Sequence, residues 1–240
     1  MIVLAVDTAS RSSSVAVLEE DSLLVETTLV NRETHSRHLM DMIHGVMGLA
    51  GLRPDRVELF AVTVGPGSFT GLRIGISAVK AMAFARGRPV VGISTLDALA
   101  EPFRHRDGLV CPMLDARREE VYSSCYRVQS GSLHKLFEEQ ARRPASLLAD
   151  IPGSCLFVGD GARAYRRDIE AALGGKALFG SPEQDGVRAA VVGRMGVHLF
   201  QQGRNGNPAD LVPCYIRRSD AETHADRGKR EKVAGAGPTT

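Results

Sequence analysis

The chain has 240 residues, 43% of them apolar and 24% charged, with a formal net charge of +2. That is the balance of a soluble globular protein of one large domain or two small ones. No apolar run nears the roughly 18 residues of a membrane span. The near-neutral charge, the absence of Trp and the 5% aromatic content argue against a dedicated nucleic-acid surface or base-stacking platform, leaving Arg163, Arg166, Arg167, Arg217 and Arg218 as local basic spots.

Met1 to Asp7 carries no basic leader or small-residue cleavage site and reads as a first strand. Strands follow at Ser14 to Leu18 and Leu23 to Val30. From Thr34, a plausible N-cap, the period becomes helical through Leu39, Met42, Ile43, Val46, Met47, Leu49 and Ala50, and Gly51 ends the run. Leu59 to Val64 is a continuous apolar strand, Thr70 to Arg86 a helix closed by Gly87, Pro89 to Ile93 a short strand, and Thr95 to Phe103 a helix. The order β-β-β-α-β-α-β-α predicts a mixed sheet with hairpins at one edge and crossovers beyond it.

Leu109 to Asp115 then echoes Met1 to Asp7: an apolar strand ending in Asp, a short turn and a second strand (Val121 to Tyr126). The echo predicts two related lobes, at 1–103 and 104–218. Beyond it the signal thins to a strand at Leu156 to Val158, a helix through Leu173, and a helical run from Gly186 to Phe200. Residues 219–240 keep no apolar period and read as a disordered tail. Cys111, Cys125, Cys155 and Cys214 include no Cys-x-x-Cys pair and read as buried free thiols of a reducing compartment.

The densest signal is Gly65-Pro-Gly-Ser-Phe-Thr-Gly-Leu-Arg-Ile-Gly75. It is neither a Walker loop nor the Gly-x-Gly-x-x-Gly fingerprint, and Ser68 lacks the Gly-x-Ser-x-Gly elbow of a hydrolase nucleophile. Glycine within a helix costs about 1 kcal/mol against alanine, so Gly71 and Gly75 need a reason. Either the amides of Gly67 to Thr70 hold an anion, or Ser68 caps the helix and Gly71, Gly75 and Ala78 form a face for tight packing. Asp7 and Asp115 each end a strand before a polar turn. Either could hold Mg²⁺ through water, or simply satisfy turn amides. His35, His38 and Asp41 recur at three-residue intervals, as zinc ligands on one helix face or as a solvated polar face.

Five segments together resemble the bacterial TsaB (YeaZ) family: Asp7-Thr-Ala-Ser10, Thr34-His-Ser36, the glycine motif, Pro89-Val-Val-Gly-Ile-Ser-Thr-Leu-Asp97 and Asp115-Ala-Arg-Arg-Glu-Glu-Val-Tyr122. Weaker echoes stand at Gly159-Asp-Gly161 and Pro213-Cys-Tyr-Ile-Arg217. The resemblance implies an α/β, two-lobed actin/Hsp70-like ATPase (ribonuclease H-like) fold with mixed sheets flanked by helices. It implies a cytoplasmic, non-catalytic subunit that binds the catalytic TsaD and the ATPase TsaE for threonylcarbamoyl transfer to adenosine beside the tRNA anticodon, and that forms a homodimer in isolation.

In TsaD the strand matching Pro89 to Ile93 leads into a metal-binding His-x-x-x-His helix; here Thr95 and Leu99 stand at those positions. The resemblance further implies a partner-binding two-helix face of Leu39, Met42, Ile43, Val46, Met47, Phe69, Gly71, Leu72, Gly75, Ile76 and Val79. A remnant nucleotide site would comprise Asp7, Thr8, Gly65, Gly67, Ser68 and Asp115, with ATP or ADP and Mg²⁺ in the complex but no required cofactor and no metal. His38 departs from the family's usual residue. Two other readings compete: an ATP-dependent kinase or hydrolase using Asp7 and Asp115, and a metalloprotease, which the missing histidine pair opposes.

Overall fold

The computed structural model describes residues 1–30, 35–204 and 206–217. The expected Thr34 cap, Arg218 and the tail 219–240 lie outside the described residues. The first sheet has the order β3-β2-β1-β4-β5, built from β1 (Ile2–Asp7), β2 (Ser12–Glu19), β3 (Ser22–Val30), β4 (Leu59–Gly65) and β5 (Val90–Ser94). β1 runs antiparallel to β2 and parallel to β4, which is parallel to β5. These strands read as continuous apolar runs because both faces of the sheet are covered. Ile2, Leu4, Val6, Phe60 and Val62 share one core with α1 (Leu39–Leu49) and α2 (Phe69–Arg86). Val3, Ala5, Leu59 and Ala61 enter a second core, with α3 (Thr95–Ala100) and α7 (Ala189–Gln201).

The second sheet comprises β6 (Gly108–Asp115), β7 (Val121–Gln129), β8 (Ser132–Arg142), β9 (Cys155–Val158) and β10 (Ala177–Phe179). Its order, β8-β7-β6-β9-β10, repeats that of the first sheet position for position. β6 is antiparallel to β7 and parallel to β9, just as β1 is to β2 and β4. Three short helices, α4 (Pro144–Ala149), α5 (Asp160–Ala164) and α6 (Arg166–Leu173), complete this half. The single helix expected before Leu173 is therefore two.

One boundary needs correction. The segment after residue 188 was expected in the second lobe, but α7 packs against β1, β2, β4 and β5 of the first sheet. Residues 206–217 follow it there, beginning with a bridge between Val90 and Gly206. The reason is local: α7 has no acidic residue in its first turn, and the first sheet supplies its cap. Ala189 N donates to Ser14 Oγ at 3.0 Å and Ala190 N to Glu26 Oε1 at 3.0 Å. Arg188 Nε donates to Glu26 Oε2 at 3.0 Å.

Burial alone would raise the Glu26 carboxyl, but the Arg188 guanidinium, the Ala190 amide and Ser14 together hold it below its ordinary value. Its contribution is therefore present above the usual glutamate range and lost as pH falls through the depressed folded value. We expect Glu26→Ala to destabilise the chain by about 1–3 kcal/mol at pH 7 in urea titrations, with the difference from wild type shrinking toward pH 3.

Candidate functional site

The glycine motif forms the junction of β4 and α2, and what it approaches is this chain's own first turn. Ser68 caps α2 by accepting from Gly71 N at 3.2 Å, and Ser68 N donates to Ala9 O at 2.7 Å. A β-carbon at Gly67 would collide with the Ala9 carbonyl, one at Gly71 with the Thr8 carbonyl, and one at Gly75 with Thr8 Oγ1. Thr8 Oγ1 donates to Gly71 O at 2.7 Å, closing the contact. Gly71 and Gly75 thus serve a packing role, but within the chain rather than across to another subunit.

The residues expected to face a partner are turned inward as well. Leu39, Met42, Ile43, Val46, Met47, Leu72, Ile76 and Val79 are buried in the core under the first sheet, and Gly71 and Gly75 are buried with them. Phe69 is half-buried, stacked on Tyr215 at 4.7 Å between centroids. The hydrophobic stripe of each helix was read correctly but assigned to the wrong neighbour. What these helices leave outside is a different set: Met40, Asp41, His44, Gly45, Gly48 and Leu49 on α1, and Arg73, Ser77, Ala81 and Phe84 on α2. Met40, Leu49 and Phe84 are 53, 77 and 74% exposed, and a β-carbon at Gly45 or Gly48 would meet nothing within 4 Å. Met40 and Phe84 stand singly on otherwise polar faces and carry no periodic signal, so sequence reasoning missed them, while Leu49, counted in the apolar period, points outward.

The cleft between the lobes has a volume of about 780 Å³ and is walled by Ser10, Arg11, His35, Ser68, Asp115 and Arg217, among others. Asp7 is not on its wall. It is fully buried, accepting from Thr63 Oγ1 at 2.7 Å and Ala9 N at 3.2 Å, while its Oδ2 has no partner among the described residues. Burial pushes its carboxyl up to about 7 against the partial relief of those two bonds. Thr8 is buried against α2, as described. The expected nucleotide cradle is therefore incomplete: Gly67, Ser68 and Asp115 line the cleft, and Asp7, Thr8 and Gly65 do not. Asp7 is sealed away, and the Ala9 carbonyl occupies the side of Gly67 where a β-carbon would stand.

Asp115 does reach the cleft, with its Oδ1 accepting from Arg117 N at 2.9 Å and Arg11 4.0 Å from Oδ2. Its own amide donates to Asp160 Oδ1 at 3.0 Å, and burial, then the neighbouring Asp115 charge, raise Asp160 above its ordinary value. The turn after Asp115 is unusual, since Arg117, Arg118 and Glu119 all adopt left-handed φ values of 61, 54 and 62°. For residues other than glycine this is strain of about 1–3 kcal/mol each.

The histidine and aspartate triplet is not a ligand face. His35 lies in a 3₁₀ turn (His35–Arg37) ahead of α1, and its Nδ1 pairs with Ser13 Oγ at 2.7 Å. Burial lowers its affinity for a proton. Among the described residues no group of three His, Cys, Asp or Glu side chains is placed to hold a metal. Thr95 and Leu99 are buried, at 0 and 2% exposure. Cys111, Cys125 and Cys155 are buried free thiols, whereas Cys214, expected to be buried, is exposed. Among the described residues no helix is long and apolar enough to cross a membrane.

The family model of TsaD, the tRNA N6-adenosine threonylcarbamoyltransferase, matches residues 26–172. The tRNA threonylcarbamoyladenosine biosynthesis protein TsaB of Bacillus subtilis is 31% identical over 225 residues, covering 92% of this chain and 96% of that protein. The chain belongs to the TsaB family. The solved structure of YeaZ from Pseudomonas aeruginosa superposes with a TM-score of 0.75 at 28% identity, covering 89% of this chain and 99% of that one. The Clostridium difficile activator of 2-hydroxyisocaproyl-CoA dehydratase, solved with bound ADPNP, is alike in fold alone, with a TM-score of 0.54 at 10% identity over 85% of this chain and 97% of that one. The architecture is the two-lobed actin/Hsp70-like one.

Two consequences are measurable. Gly75→Leu drives a side chain into Thr8, and overpacking a closed contact costs about 1–3 kcal/mol or more. The variant should lose thermal stability or fail to fold, and a melting temperature equal to wild type would refute the packing role. For Asp7 the folded pKa is raised, so the folded state is favoured below pH 4 and loses stability as pH rises to about 7. Asp7→Asn should flatten that dependence and raise stability at pH 8 by up to the order of 4 kcal/mol, at ~1.4 kcal/mol per unit. Parallel pH–stability curves for the two proteins would overturn the assignment.

Proposed function

We propose that this chain is a non-catalytic scaffold and activator in the biosynthesis of threonylcarbamoyladenosine on tRNA, and that it binds the catalytic subunit TsaD through the outer face of α1 and α2. The observation that carries this reading is the apolar and small-residue surface on those helices that none of the described residues covers: Met40, Gly45, Gly48, Leu49, Ala81 and Phe84. Interfaces place exposed apolar anchors beside small residues that let backbones approach. The sealed Asp7 and the buried Thr95 and Leu99 support a supporting rather than a chemical role. Family membership supports the pathway, since the relatives are named for it.

TsaE joins the pair as a third component, tRNA is reached through the complex, and the whole works in the cytoplasm. Without TsaD the same helix face pairs two copies of the chain. Arg73 and Asp41 lie on that face, so its polar margin carries both signs of charge.

The test is a pair of substitutions, Leu49→Asp and Phe84→Asp. Both side chains are more than 70% exposed, so each variant should keep its stability within about 0.5 kcal/mol. Each should weaken association with TsaD by at least roughly tenfold, or about 1.4 kcal/mol, and should lower tRNA modification in an assay reconstituted with TsaD and TsaE. Undiminished binding and modification by both would sink the proposal. Calorimetry with Mg-ATP separates the kinase or hydrolase alternative, since heat of binding by the isolated chain favours that enzyme.

A further inference from the structure

The two lobes meet through more than a hinge. Helix α3 belongs to both cores: Leu96, Ala98 and Leu99 pack with the first sheet, whereas Ala100 and, just after it, Phe103 pack with Val110, Tyr126, Val128, Leu156 and Val158 of the second. A polar network fastens the same junction. Tyr126 Oη donates to Asp97 Oδ1 at 2.6 Å. Lys135 Nζ lies 3.1 Å from both Asp97 Oδ1 and Glu139 Oε1, and Ser94 Oγ donates to Glu139 Oε1. Ser94 and Asp97 come from the β5–α3 junction, and the other three from β7 and β8.

A second tie runs along residues 206–217. Lys80 Nζ, on α2, donates to Ala209 O at 2.8 Å, and Cys214 N to Val64 O at 2.7 Å. Tyr215 stacks on Phe69 and accepts from Arg73 Nε at 3.0 Å. The strand of chain then reaches the other lobe. Arg217 Nη1 donates to Glu120 Oε2 at 3.0 Å and Nη2 to Ala116 O at 3.0 Å, bracketing the left-handed turn of Arg117, Arg118 and Glu119. That strained turn stays in place because both of its ends are held.

We propose that these two ties make the lobes one rigid body with a single cleft width, so that the cleft does not open and close as a ligand-driven hinge. Hinge closure needs a few residues free to absorb backbone rotation, and both chain crossings are fastened. The first is held by the shared apolar helix. The second, between β10 and α7, is held by Asp185, which accepts from Gly159 N and Arg163 Nε, and by Arg188, which donates to Glu26, with the clamped strap as a further tie. The inference concerns lobe motion alone and holds whether or not α1 and α2 bind a partner. For a scaffold it means that the helices are presented at a fixed angle to the second lobe.

The test is a spin-label distance measurement between the lobes in the full chain. Cys214→Ser removes the exposed thiol, the other three cysteines being buried, and labels go on Asp21→Cys and Arg167→Cys, both exposed. The expected result is one narrow distance distribution that Mg-ATP leaves unchanged. Adding Arg217→Ala or Lys135→Ala should broaden it by about twofold, on the scale of slow collective lobe motion, with circular dichroism confirming that the variants remain folded. A broad distribution before substitution, a shift on adding Mg-ATP, or tie variants as narrow as the parent would each overturn the proposal.

Discussion

The contact between the first turn of the chain and the first turns of α2 is the constraint on which the rest of the molecule depends. Thr8 and Ala9 press their backbone against Gly67 and Gly71, and the Thr8 hydroxyl sits where a side chain at Gly75 would be. Packing this close fixes the height and rotation of α2 above β1 and β4. Leu72, Ile76 and Val79 are thereby directed into the sheet, and Arg73, Ser77, Ala81 and Phe84 away from it. The same contact leaves Asp7 beneath it, fully buried and without a route to the cleft, while Gly67 to Thr70 remain on the cleft wall. One local arrangement therefore decides both what the chain presents outward and what its cleft lacks.

Much of the fold could be read from the residues. The apolar strands of the first sheet, the stripes on α1 and α2, and the likeness of Leu109 to Asp115 to the opening strand all have counterparts in the structure, down to the matching strand order of the two sheets. Strength of signal followed depth of burial. β8 went unseen because it is an edge strand whose side chains are mostly exposed or half-buried, so no apolar alternation marks it. The short α4 buries only Pro144, Leu147 and Leu148 and left little trace, whereas α6 was legible but ran together with α5. The return of α7 to the first sheet was invisible for a different reason. Its cap is assembled from Ser14 and Glu26, more than 160 residues away in sequence.

The site was less transparent than the fold, and the failures share a cause. A period of 3.6 shows that a helix has an apolar face, but not whose surface covers it. Leu39 to Met47 and Leu72 to Val79 satisfy the pattern equally well as an intersubunit seam or as an ordinary core, and burial decides for the core. Glycines four residues apart likewise declare a close approach without naming the approaching group. His35 and Asp41 looked equivalent by spacing, yet one sits in a 3₁₀ turn bonded to Ser13 and the other on the exposed flank of α1.

Helix α3 is packed on every side that a reactive site would need open. The resemblance places two metal-binding histidines of the catalytic relative at the positions of Thr95 and Leu99. In this chain both are interior: Leu99 fills the core that α3 shares with α7, and Thr95 Oγ1 is buried without a partner among the described residues. Placing imidazoles there would require α3 to turn or withdraw, because a ligand must face open space to admit a metal and a substrate. But α3 is held by Tyr126, Lys135 and Glu139 on one side and by apolar packing on both. In the proposed reading the absence of imidazoles at these positions and the fastening of the lobes go together, since α3 is packed between the two cores where a reactive helix would need open space.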